Sequence, residues 1–550
     1  MKNIVLKVNP CDNIVVALQD LKAGELVVQN SHSILLLEDI ATKHKFAERD
    51  FAEGDQITMY GVRVGRAVRP IQAGTRISRE NITHDAEEYH VGKRRTDWPK
   101  PDASKYKNWT FNGFHRADGK VGTRNYWLVV PLVFCENRNI EVMRDALLEP
   151  LGYLTGRSFS VDVAKLLVLH GSGVGEDALL TADIVRDAAE VQHNRPFPNV
   201  DGIKFLTHDG GCGGTQQDSQ ALCRLLAGYI LNPNVAGATV LSLGCQHAQI
   251  QMLKDALNAF GPHHGKPIFY LEQQKSKSER DFIADAVRQT FVGLVQANQT
   301  LRTPAPLSKM VVGLECGGSD GFSGISANPA LGHASDLLAA LGGTTILSEF
   351  PELNAVEQNL IDRCTTEENA EKFAKLMRSY SQRAQEVGSG FDMNPSPGNI
   401  RDGLVTDAMK SAGAAKKGGT SPVTDVLDYT EQSTRPGLAL LCTPGNDVES
   451  TTAEVGSGAN LVVFTTGLGT PTGNPIAPVI KMATNTALAR RMADIIDIDA
   501  GTIISGEDTI QSKGEELLEL IIRVASGEAQ THAERLGQDD FIPWKRGVSL

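Results

Sequence analysis

Three apolar runs of the sequence each end in a cysteine that has glycine beside it. The cysteines are Cys212, Cys245 and Cys316, in the segments IKFLTHDGGCGG, ATVLSLGCQHAQ and MVVGLECGGSDG. Two further apolar runs, YWLVVPLVFCEN and GLALLCTPGND, end at Cys135 and Cys442. Soft thiolates select iron, zinc or an iron–sulfur cluster. A single free cysteine is more simply a small buried hydrophobe, but the repetition of this pattern favours a shared metal site.

The elements that would position these thiols are strands of a parallel sheet. A short run of Val, Ile and Leu that ends in a glycine-rich break is typical of a buried parallel strand leading into a loop. In open α/β sheets, ligands bind beyond the carboxyl ends of the strands. We therefore predict that at least three of Cys135, Cys212, Cys245 and Cys316 meet at one site. The chain has no CxxC pair, so a zinc ribbon or finger is not expected.

Three other polar groups could move protons or bind an anion. His208 lies four residues before Cys212, and as an imidazole it could bind iron or zinc, act in catalysis or be a hydrogen-bonded loop residue. His44 and Lys45 lie together between short strands, where they could transfer protons or form an exposed turn. Arg124, before the first α/β strand, could pair with a carboxylate or be a surface arginine.

The C-terminal half contains loops that are rich in glycine and hydroxyl groups. Ser319 and Asp320 precede a predicted helix, where they could form an anion site or cap the helix. The loops NPSPGN, TPGND and TTGLGTPTGN favour binding of a polyhydroxylated ligand, with turn formation as the alternative. No Walker pattern or GxGxxG spacing is present, so nucleotide binding is not indicated.

Composition limits the partners. The net charge is −12 and the pI about 5.6, which argues against binding to nucleic acid or an anionic membrane. No apolar window approaches the length of a transmembrane helix, and the N-terminal residues lack a secretory signal. Eight cysteines in 550 residues are too few for a disulfide scaffold. We therefore expect a cytoplasmic protein with reduced thiols.

The pattern of elements predicts a multidomain α/β protein. A small β domain covers residues 1–92, a charged linker 93–108, and two α/β blocks with largely parallel sheets 109–304 and 305–550. We predict strands near 126–134, 164–170, 202–207 and 238–243, and in the second block at 309–314, 344–347, 437–441 and 460–465. The segments DALLTADIVRDAAEVQ and GEELLELIIRVASGEA are predicted helices. Residues 386–422 are predicted to form long loops.

The chain resembles the altronate dehydratase/galactarate dehydratase family over nearly its whole length. The segments DNIVVAL (12–18), HKFA (44–47) and YGVRVGRAV (60–68) are similar to the family's SAF-type, β-clip domain. The later matches are ADGKVGTRN (117–125), CGGSDGFSGISANPALG (316–332), NPSPGN (394–399), PGND (444–447), GTPTGNPIAPVIKMATNT (469–486) and DIDAGTI (497–503). Asn9 stands where many members have a histidine. Leu468 and Thr472 stand where the family often has arginine and tyrosine.

The resemblance implies an enzyme that removes water from an aldonic or aldaric acid. The cofactor would be Fe²⁺ or Mn²⁺, with an iron–sulfur cluster as an alternative. The segment LECGGSDG favours the altronate branch, which converts D-altronate to 2-keto-3-deoxy-D-gluconate in hexuronate catabolism. Galactarate or another aldarate or aldonate is the second substrate candidate. A zinc-stabilised sugar-acid-binding module is the candidate that is not an enzyme.

The site residues expected from the motifs and the resemblance fall into three groups. The expected metal ligands are Cys135, Cys212, Cys245 and Cys316. The expected catalytic residues are His44, Lys45, His208 and Asp320. The expected substrate-binding residues are Arg124, Asn125, Ser319, Asn399, Asn446, Thr470 and Lys481. The expected partners are a sugar acid and a second copy of the chain, without nucleic acid or membrane.

Overall fold

The N-terminal domain consists of short antiparallel strands. The computed structural model describes residues 4–29, 32–154, 159–187, 195–261 and 264–549. The first eight strands form three small sheets of order β1-β2-β5, β3-β4 and β6-β7-β8. Their bounds are β1 Val5–Leu6, β2 Ile14–Ala17, β3 Leu26–Gln29, β4 His32–Leu35, β5 Lys45–Ala47, β6 Gln56–Met59, β7 Val62–Ala67 and β8 Ile82–Thr83. The predicted small β domain is therefore confirmed.

The second region is built on a four-stranded parallel sheet of order β14-β11-β15-β16. Strand β11 is wholly buried, and its alternate residues pack on opposite faces of the sheet, as strand geometry requires. The elements are β9 Thr110–His115, β10 Val121–Gly122, β11 Tyr126–Pro131, α1 Asn137–Leu148, β12 Phe159–Val161, α2 Val163–Gly171, α3 Glu176–Leu180, β13 Val185–Asp187, β14 Gly202–Phe205, α4 Gln216–Leu231, β15 Val235–Ser242, α5 Ile250–Phe260, β16 Ile268–Glu272, α6 Glu279–Ala297 and β17 Arg302–Pro306.

Two predictions for this region are wrong. The apolar run 164–170 is not a strand but lies in α2, which begins after Asp162, whose side chain accepts a hydrogen bond from the Lys165 amide. A short apolar run does not by itself distinguish a strand from a helix, and this N-cap decides in favour of the helix. The segment DALLTADIVRDAAEVQ is helical only as far as Leu180, and β13 then pairs antiparallel with β12. Its last residues, from 188, lie outside the described ranges.

The third region contains a seven-stranded parallel sheet of order β20-β21-β19-β18-β22-β23-β24. The strands predicted at 344–347 and 437–441 have those bounds, and the other two are displaced by one or two residues. The elements are β18 Val311–Cys316, α7 Ala327–Ala340, β19 Thr344–Leu347, α8 Glu357–Arg363, α9 Glu367–Glu386, α10 Pro397–Arg401, α11 Asp407–Ala414, β20 Val423–Leu427, β21 Gly437–Leu441, α12 Asp447–Gly456, β22 Leu461–Thr466, β23 Val479–Ala483, α13 Thr486–Arg491, β24 Ile498–Asp499, α14 Gly501–Ser505, α15 Ile510–Ala525 and α16 His532–Leu536.

Residues 386–422 do not form only loops, as the sequence suggested. They include α10 and α11, which are capped by the side chains of Ser396 and Thr406. These side chains satisfy free amides at the helix starts, so two short helices form within a glycine-rich segment. The segment lies over the carboxyl edge of the seven-stranded sheet, where Asn399 hydrogen-bonds to the loop after β18.

The N-terminal domain packs directly on the third region. One apolar core contains Ile14 and Tyr60 from the first domain together with Phe322, Ile325 and Met409 from the third. Hydrophobic burial therefore fixes the domain against the loop that follows β18. No helix within the described residues is long and apolar enough to cross a membrane.

Candidate active site

Buried charged groups collect at the carboxyl edge of the seven-stranded sheet. Cys316 ends β18, Glu349 and Glu352 follow β19, and Asp447 follows β21. These strands are neighbours in the order β21-β19-β18, so their carboxyl ends bring the four side chains to one edge. We call these four residues, with Lys410 and Lys417 described next, the acid–lysine cluster.

Two lysines enter the acid–lysine cluster from the segment above the sheet. The Lys417 Nζ atom lies 2.9 Å from the Cys316 Sγ atom and 2.8 Å from a Glu349 carboxylate oxygen. The Lys410 Nζ atom lies 2.5 Å from the Glu352 Oε1 atom. The Cys316 Sγ atom lies 3.6 Å from an oxygen of each glutamate. Thiol, carboxylates and ammonium groups are thus in direct contact in a buried site.

Burial and neighbouring charges set the protonation of this cluster. Burial raises the pKa of Cys316 and of Glu349, and it raises the pKa of Asp447 to about 7. Burial also acts to raise the pKa of Glu352, but the ammonium groups of Lys410 and Lys417 outweigh it, so this pKa is lowered. Glu352 is therefore the carboxylate that stays ionised most readily.

The acidic groups outnumber the cations. Glu315 and Glu454 lie beside the cluster, linked by the Ser348 hydroxyl, and burial raises the pKa of Glu454 to about 8. Among the described residues, the Oε1 atoms of Glu315 and Glu349 are buried without a hydrogen-bond partner. Such oxygens are costly to bury unless they meet a proton or a cation.

The donor atoms are spaced for a metal ion. Within the described part of the chain, Cys316, Glu349 and Glu352 bring one ligand atom each within 4.8 Å of one another, and so do Glu315, Glu349 and Asp447. Glu349 has a φ of 62°, a left-handed conformation that is strained for this residue and is often found at functional sites. The cluster therefore has the ligand types and the free carboxylate oxygens that a divalent cation needs.

The N-terminal domain contributes a basic loop, Lys43 to Lys45, to the neighbouring part of the site. The Lys43 Nζ atom lies 3.0 Å from the Asp320 Oδ2 atom and 3.1 Å from the Asp402 Oδ1 atom. Lys45 is fully buried and donates to the Gly403 carbonyl over 2.7 Å. Burial lowers the pKa of Lys45 to about 7. This residue therefore has the pKa of a general base that works near neutral pH.

His44 faces the same segment of the third region. Its Nε2 atom lies 3.0 Å from the Arg401 carbonyl oxygen, and burial lowers its pKa. Asn9, at the position of the family histidine, lies in a turn where its side-chain oxygen accepts a hydrogen bond from the Cys11 amide. Thus His44 of this domain contacts the third region, whereas Asn9 makes its hydrogen bond within its own turn.

The segment from Cys316 to Asp320 connects the acid–lysine cluster to this basic loop. Asp320 is fully buried and accepts hydrogen bonds from the side chains of Ser323, Thr484 and Asn485. The Asn399 amide donates to the Ser319 carbonyl over 2.7 Å. Two of the predicted residues, Ser319 and Asp320, therefore lie on this strand-end segment. Asn399 and Lys45 lie against it from other elements, and His44 contacts the Arg401 carbonyl.

Three predicted substrate-binding residues lie on other strands of the same sheet. Asn446 follows β21 and its side chain caps α12. Thr470 lies in the loop after β22, close to Gly318. Lys481 lies within β23, where it donates to the Thr472 carbonyl and where burial lowers its pKa to about 7.

Arg124 and Asn125 lie away from this edge and are held by the chain itself. Arg124 forms two hydrogen bonds with the Glu534 carboxylate, of 2.7 and 2.9 Å. The Asn125 amide donates to the carbonyl oxygens of Asn199 and Ala297. The structure thus gives both side chains internal partners at the amino end of β11. The carboxylate that Arg124 was expected to bind is provided by a distant helix, which the sequence could not reveal.

The structure separates the four predicted thiol ligands into three and one. Cys135, Cys212 and Cys245 follow β11, β14 and β15 of the four-stranded sheet, whereas Cys316 belongs to the other sheet. His208 is buried in the loop that precedes Cys212. Its Nε2 atom lies 2.9 Å from the Pro131 carbonyl oxygen, and its Nδ1 atom accepts from the Gly210 amide. Both ring nitrogens are thus used to fix the loop, and burial lowers the pKa of His208.

Sequence reasoning missed most of the acid–lysine cluster. Glu349 and Glu352 directly follow the strand TTIL, and strand-end glutamates were a signal that could have been used. Lys410 and Lys417 carry no such signal, because the glycine-rich sequence around them predicts loops. Lys43 stands next to the predicted His44 and Lys45.

Comparison with protein families accounts for all three regions. The model described as "Altronate/galactarate dehydratase SAF domain" matches residues 3–85. That of the "D-galactarate dehydratase/Altronate hydrolase, second domain" matches 113–298, and that of the "D-galactarate/Altronate dehydratase, C-terminal" region matches 307–549. The chain belongs to the altronate/galactarate dehydratase family. The resemblance noted from the motifs is thereby confirmed.

Named relatives support the same assignment. Altronate dehydratase of Escherichia coli (strain K12) is 32% identical over 549 residues, which is 99% of each chain. Altronate dehydratase of Bacillus subtilis (strain 168) is 33% identical over 552 residues and the full length of both chains. Galactarate dehydratase (L-threo-forming) of E. coli is 34% identical over 97% of this chain and 94% of the relative. The protein is therefore a hydro-lyase of the sugar-acid dehydratase class.

Proposed function

We propose that the protein converts D-altronate to 2-keto-3-deoxy-D-gluconate and water, in the cytoplasm and as a step of hexuronate catabolism. The observation that carries this proposal is the fully buried Lys45, with a pKa of about 7, held beside Asp320 and the strand-end segment that leads to Cys316. Full-length similarity to two altronate dehydratases supports the choice of substrate. Galactarate is the second candidate, supported by the similarity to a galactarate dehydratase.

We further propose that the reaction depends on Fe²⁺ or Mn²⁺. Cys316, Glu349 and Glu352 would hold the ion, because their donor atoms approach one another and Glu349 has an oxygen without a hydrogen-bond partner among the described residues. When bound, such an ion stabilises negative charge on the substrate and assists departure of hydroxide as a Lewis acid.

Lys45 would carry out the proton transfers. The proton at C2 of a 2,3-dihydroxy acid is weakly acidic, so its removal needs a positioned base. Neutral Lys45 would take this proton, and the resulting ammonium would return it to the hydroxyl that leaves C3 as water. The enol product then tautomerises to the 2-keto-3-deoxy acid. One buried lysine can thus act first as base and then as acid.

Other residues of the edge would hold the sugar chain. Ser319, Asn399, Asn446 and Thr470 offer hydroxyl and amide groups that suit a polyhydroxylated ligand. The ammonium groups of Lys410 and Lys417 provide positive charge for the substrate carboxylate. Because the side chains of the acid–lysine cluster are largely buried, binding of the substrate would require movement of a covering segment, and α10 contacts the loop after β18.

A substrate panel tests this function. The protein would be incubated with D-altronate, galactarate and their epimers, each with Fe²⁺ or Mn²⁺, and scored for 2-keto-3-deoxy products. We expect kcat/KM to be highest for D-altronate, by about tenfold or more, and to fall after chelation. A preference for galactarate would support the second candidate. Tightly bound zinc without turnover of any acid would support a binding module instead.

A further inference from the structure

Three thiols lie at neighbouring strand ends of the four-stranded sheet, apart from the acid–lysine cluster. Cys135 follows the central strand β11, and Cys212 and Cys245 follow its two neighbours, β14 and β15. All three are free and exposed. Since the strands are parallel, their carboxyl ends point the same way. We call these residues the thiol triad.

Backbone hydrogen bonds join the three loops directly. The Phe134 amide donates to the Gly210 carbonyl, and the Ala248 amide donates to the Gly211 carbonyl. Gly211 has a φ of +95° and lies against the Leu132 backbone, where a side chain would clash. These hydrogen bonds lie one residue before Cys135, one and two residues before Cys212, and three residues after Cys245. The hydrogen bonds therefore hold the three loops of the thiol triad next to one another.

The other cysteines of the chain show what a packing role looks like. Cys223, Cys364 and Cys442 are buried, and burial raises the pKa of each to about 12. Cysteine is among the most frequently buried residue types. Three exposed thiols at one sheet edge do not fit that role. The Gln274 side-chain amide also donates to the Cys245 sulfur over 3.3 Å, and hydrogen bonds to sulfur are found in iron–sulfur proteins.

The sulfurs of the thiol triad, as they are placed, do not have the spacing of ligands to a single zinc ion. Three sulfurs bound to one tetrahedral zinc lie about 3.8 Å apart, because each Zn–S bond is about 2.3 Å. The described sulfurs of the thiol triad are not among the groups whose ligand atoms all come within 4.8 Å. In an iron–sulfur cluster each thiolate binds a different iron, so the sulfurs are further apart.

We propose that the thiol triad binds a [4Fe–4S] cluster. Each of Cys135, Cys212 and Cys245 loses its thiol proton and binds one iron, and the fourth iron is left for a ligand from outside the protein. The [4Fe–4S]²⁺ cluster forms from two ferrous ions, two ferric ions and four sulfides, so its assembly needs no further oxidant, and the three thiol protons pass to solvent. The site goes beyond the proposed function, because its residues follow strands of the four-stranded sheet, whereas the acid–lysine cluster lies at the edge of the seven-stranded sheet.

Anaerobic reconstitution of the full-length protein with ferrous iron, ferric iron and sulfide tests the site. We expect about four irons and four acid-labile sulfides per chain, together with visible absorption and a paramagnetic signal after reduction. The variants Cys135→Ser, Cys212→Ser and Cys245→Ser should each lower bound sulfide by more than about tenfold. Loss of a residue that only contacts a metal's ligands costs about 10–100-fold in affinity, and loss of a ligand should cost at least as much. Cys11→Ser, an exposed cysteine of the N-terminal domain, is the matched control and should retain full sulfide.

A second measurement works even if a variant folds poorly. Wild-type protein would be alkylated before and after reconstitution, and each cysteine followed by mass spectrometry. Loading should protect the thiol triad and leave Cys11 reactive. The proposal is wrong if the protein takes up no sulfide, if one zinc ion occupies the triad in its place, or if loading leaves the three cysteines as reactive as Cys11.

Discussion

At the scale of single residues, the main feature of this protein is a set of buried acids that are not balanced by buried bases. Lys410 and Lys417 pair with Glu352 and Glu349, yet Asp447 and other carboxyl groups remain. A buried charge is stable only when it is paired, hydrogen-bonded or neutralised. The site therefore either keeps protons on its carboxyl groups or binds a cation, and a metal-dependent dehydratase would do the latter.

Substitution of Glu349 tests this cation site. Glu349→Gln removes one anionic donor while preserving shape, so Mn²⁺ affinity should fall by about tenfold or more and kcat should fall with it. Metal affinity is measured by titration calorimetry. Glu431→Gln, which breaks a surface pair with Lys372, should change neither value. Unaltered Mn²⁺ binding by Glu349→Gln would exclude this carboxylate as a ligand.

The protonation of Lys45 predicts the pH dependence of the reaction. Burial lowers the pKa of this lysine to about 7, and only the neutral amine can take the C2 proton. We therefore expect kcat/KM to rise as pH increases through about 7 and then to level off. The measurement is a pH–rate profile at saturating metal. A rate that is constant between pH 6 and 8 would argue against Lys45 as the base.

At the scale of elements, strand-end loops and one loop of the N-terminal domain build the site. Gly403, with a φ of +92°, packs against the Lys43 backbone, and its carbonyl accepts the hydrogen bond from Lys45. This close approach lets the basic loop reach Asp320. The position of Lys45 thus depends on the close approach of the Gly403 backbone to the Lys43 backbone.

Substitution of Gly403 tests this contact. Gly403→Ala would push its methyl group into the Lys43 backbone, so kcat should fall by about tenfold or more because misplaced catalytic groups are costly. Gly24→Ala is the control, since Gly24 has a φ of +84° and no atom near the added methyl group. Both variants carry the conformational cost of a positive φ, but only Gly403→Ala should lose activity. Equal activity of the two variants would contradict the role of the contact.

The sequence predicted the strand-ends well but not the groups that meet there. Apolar runs followed by glycine placed Cys212, Cys245 and Cys316 at carboxyl edges, because a buried parallel strand needs an uninterrupted apolar sequence. Which edge each thiol occupies depends on strand order, which local sequence does not encode. For the same reason, the contact of Lys417 with Cys316 was not foreseen, since 101 residues separate them.

At the scale of the whole molecule, docking of the N-terminal domain on the third region completes the site. The two regions share one apolar core. Ionisable groups also lie at or near their interface. His84 pairs with Asp407, which raises the pKa of His84. Burial raises the pKa of Glu357 to about 7. Both groups bind protons more tightly in the folded protein than in the unfolded chain.

The docking should therefore weaken as pH rises. Between about pH 4.5 and 7, Glu357 holds its proton more often in the folded protein than in the unfolded chain. The same is true of His84 above about pH 6.5. Stability falls with pH wherever the folded state binds more protons. We expect the melting temperature, measured by calorimetry, to fall between about pH 5 and 7, below the range in which the lowered pKa values of Lys45 and Lys481 begin to offset the effect. Glu357→Gln should flatten this dependence, and an unchanged slope would contradict its assignment to Glu357.

We propose that Lys45 of the N-terminal domain transfers the protons of sugar-acid dehydration at the edge of the seven-stranded sheet. The most direct test compares formation of 2-keto-3-deoxy-D-gluconate from D-altronate by the wild type, by Lys45→Met and by Lys22→Met, an exposed lysine of the same domain. We predict that Lys45→Met lowers kcat by about 100-fold or more, the usual contribution of acid–base catalysis, with metal content unchanged and Lys22→Met fully active. Wild-type turnover by a folded Lys45→Met protein would contradict the account.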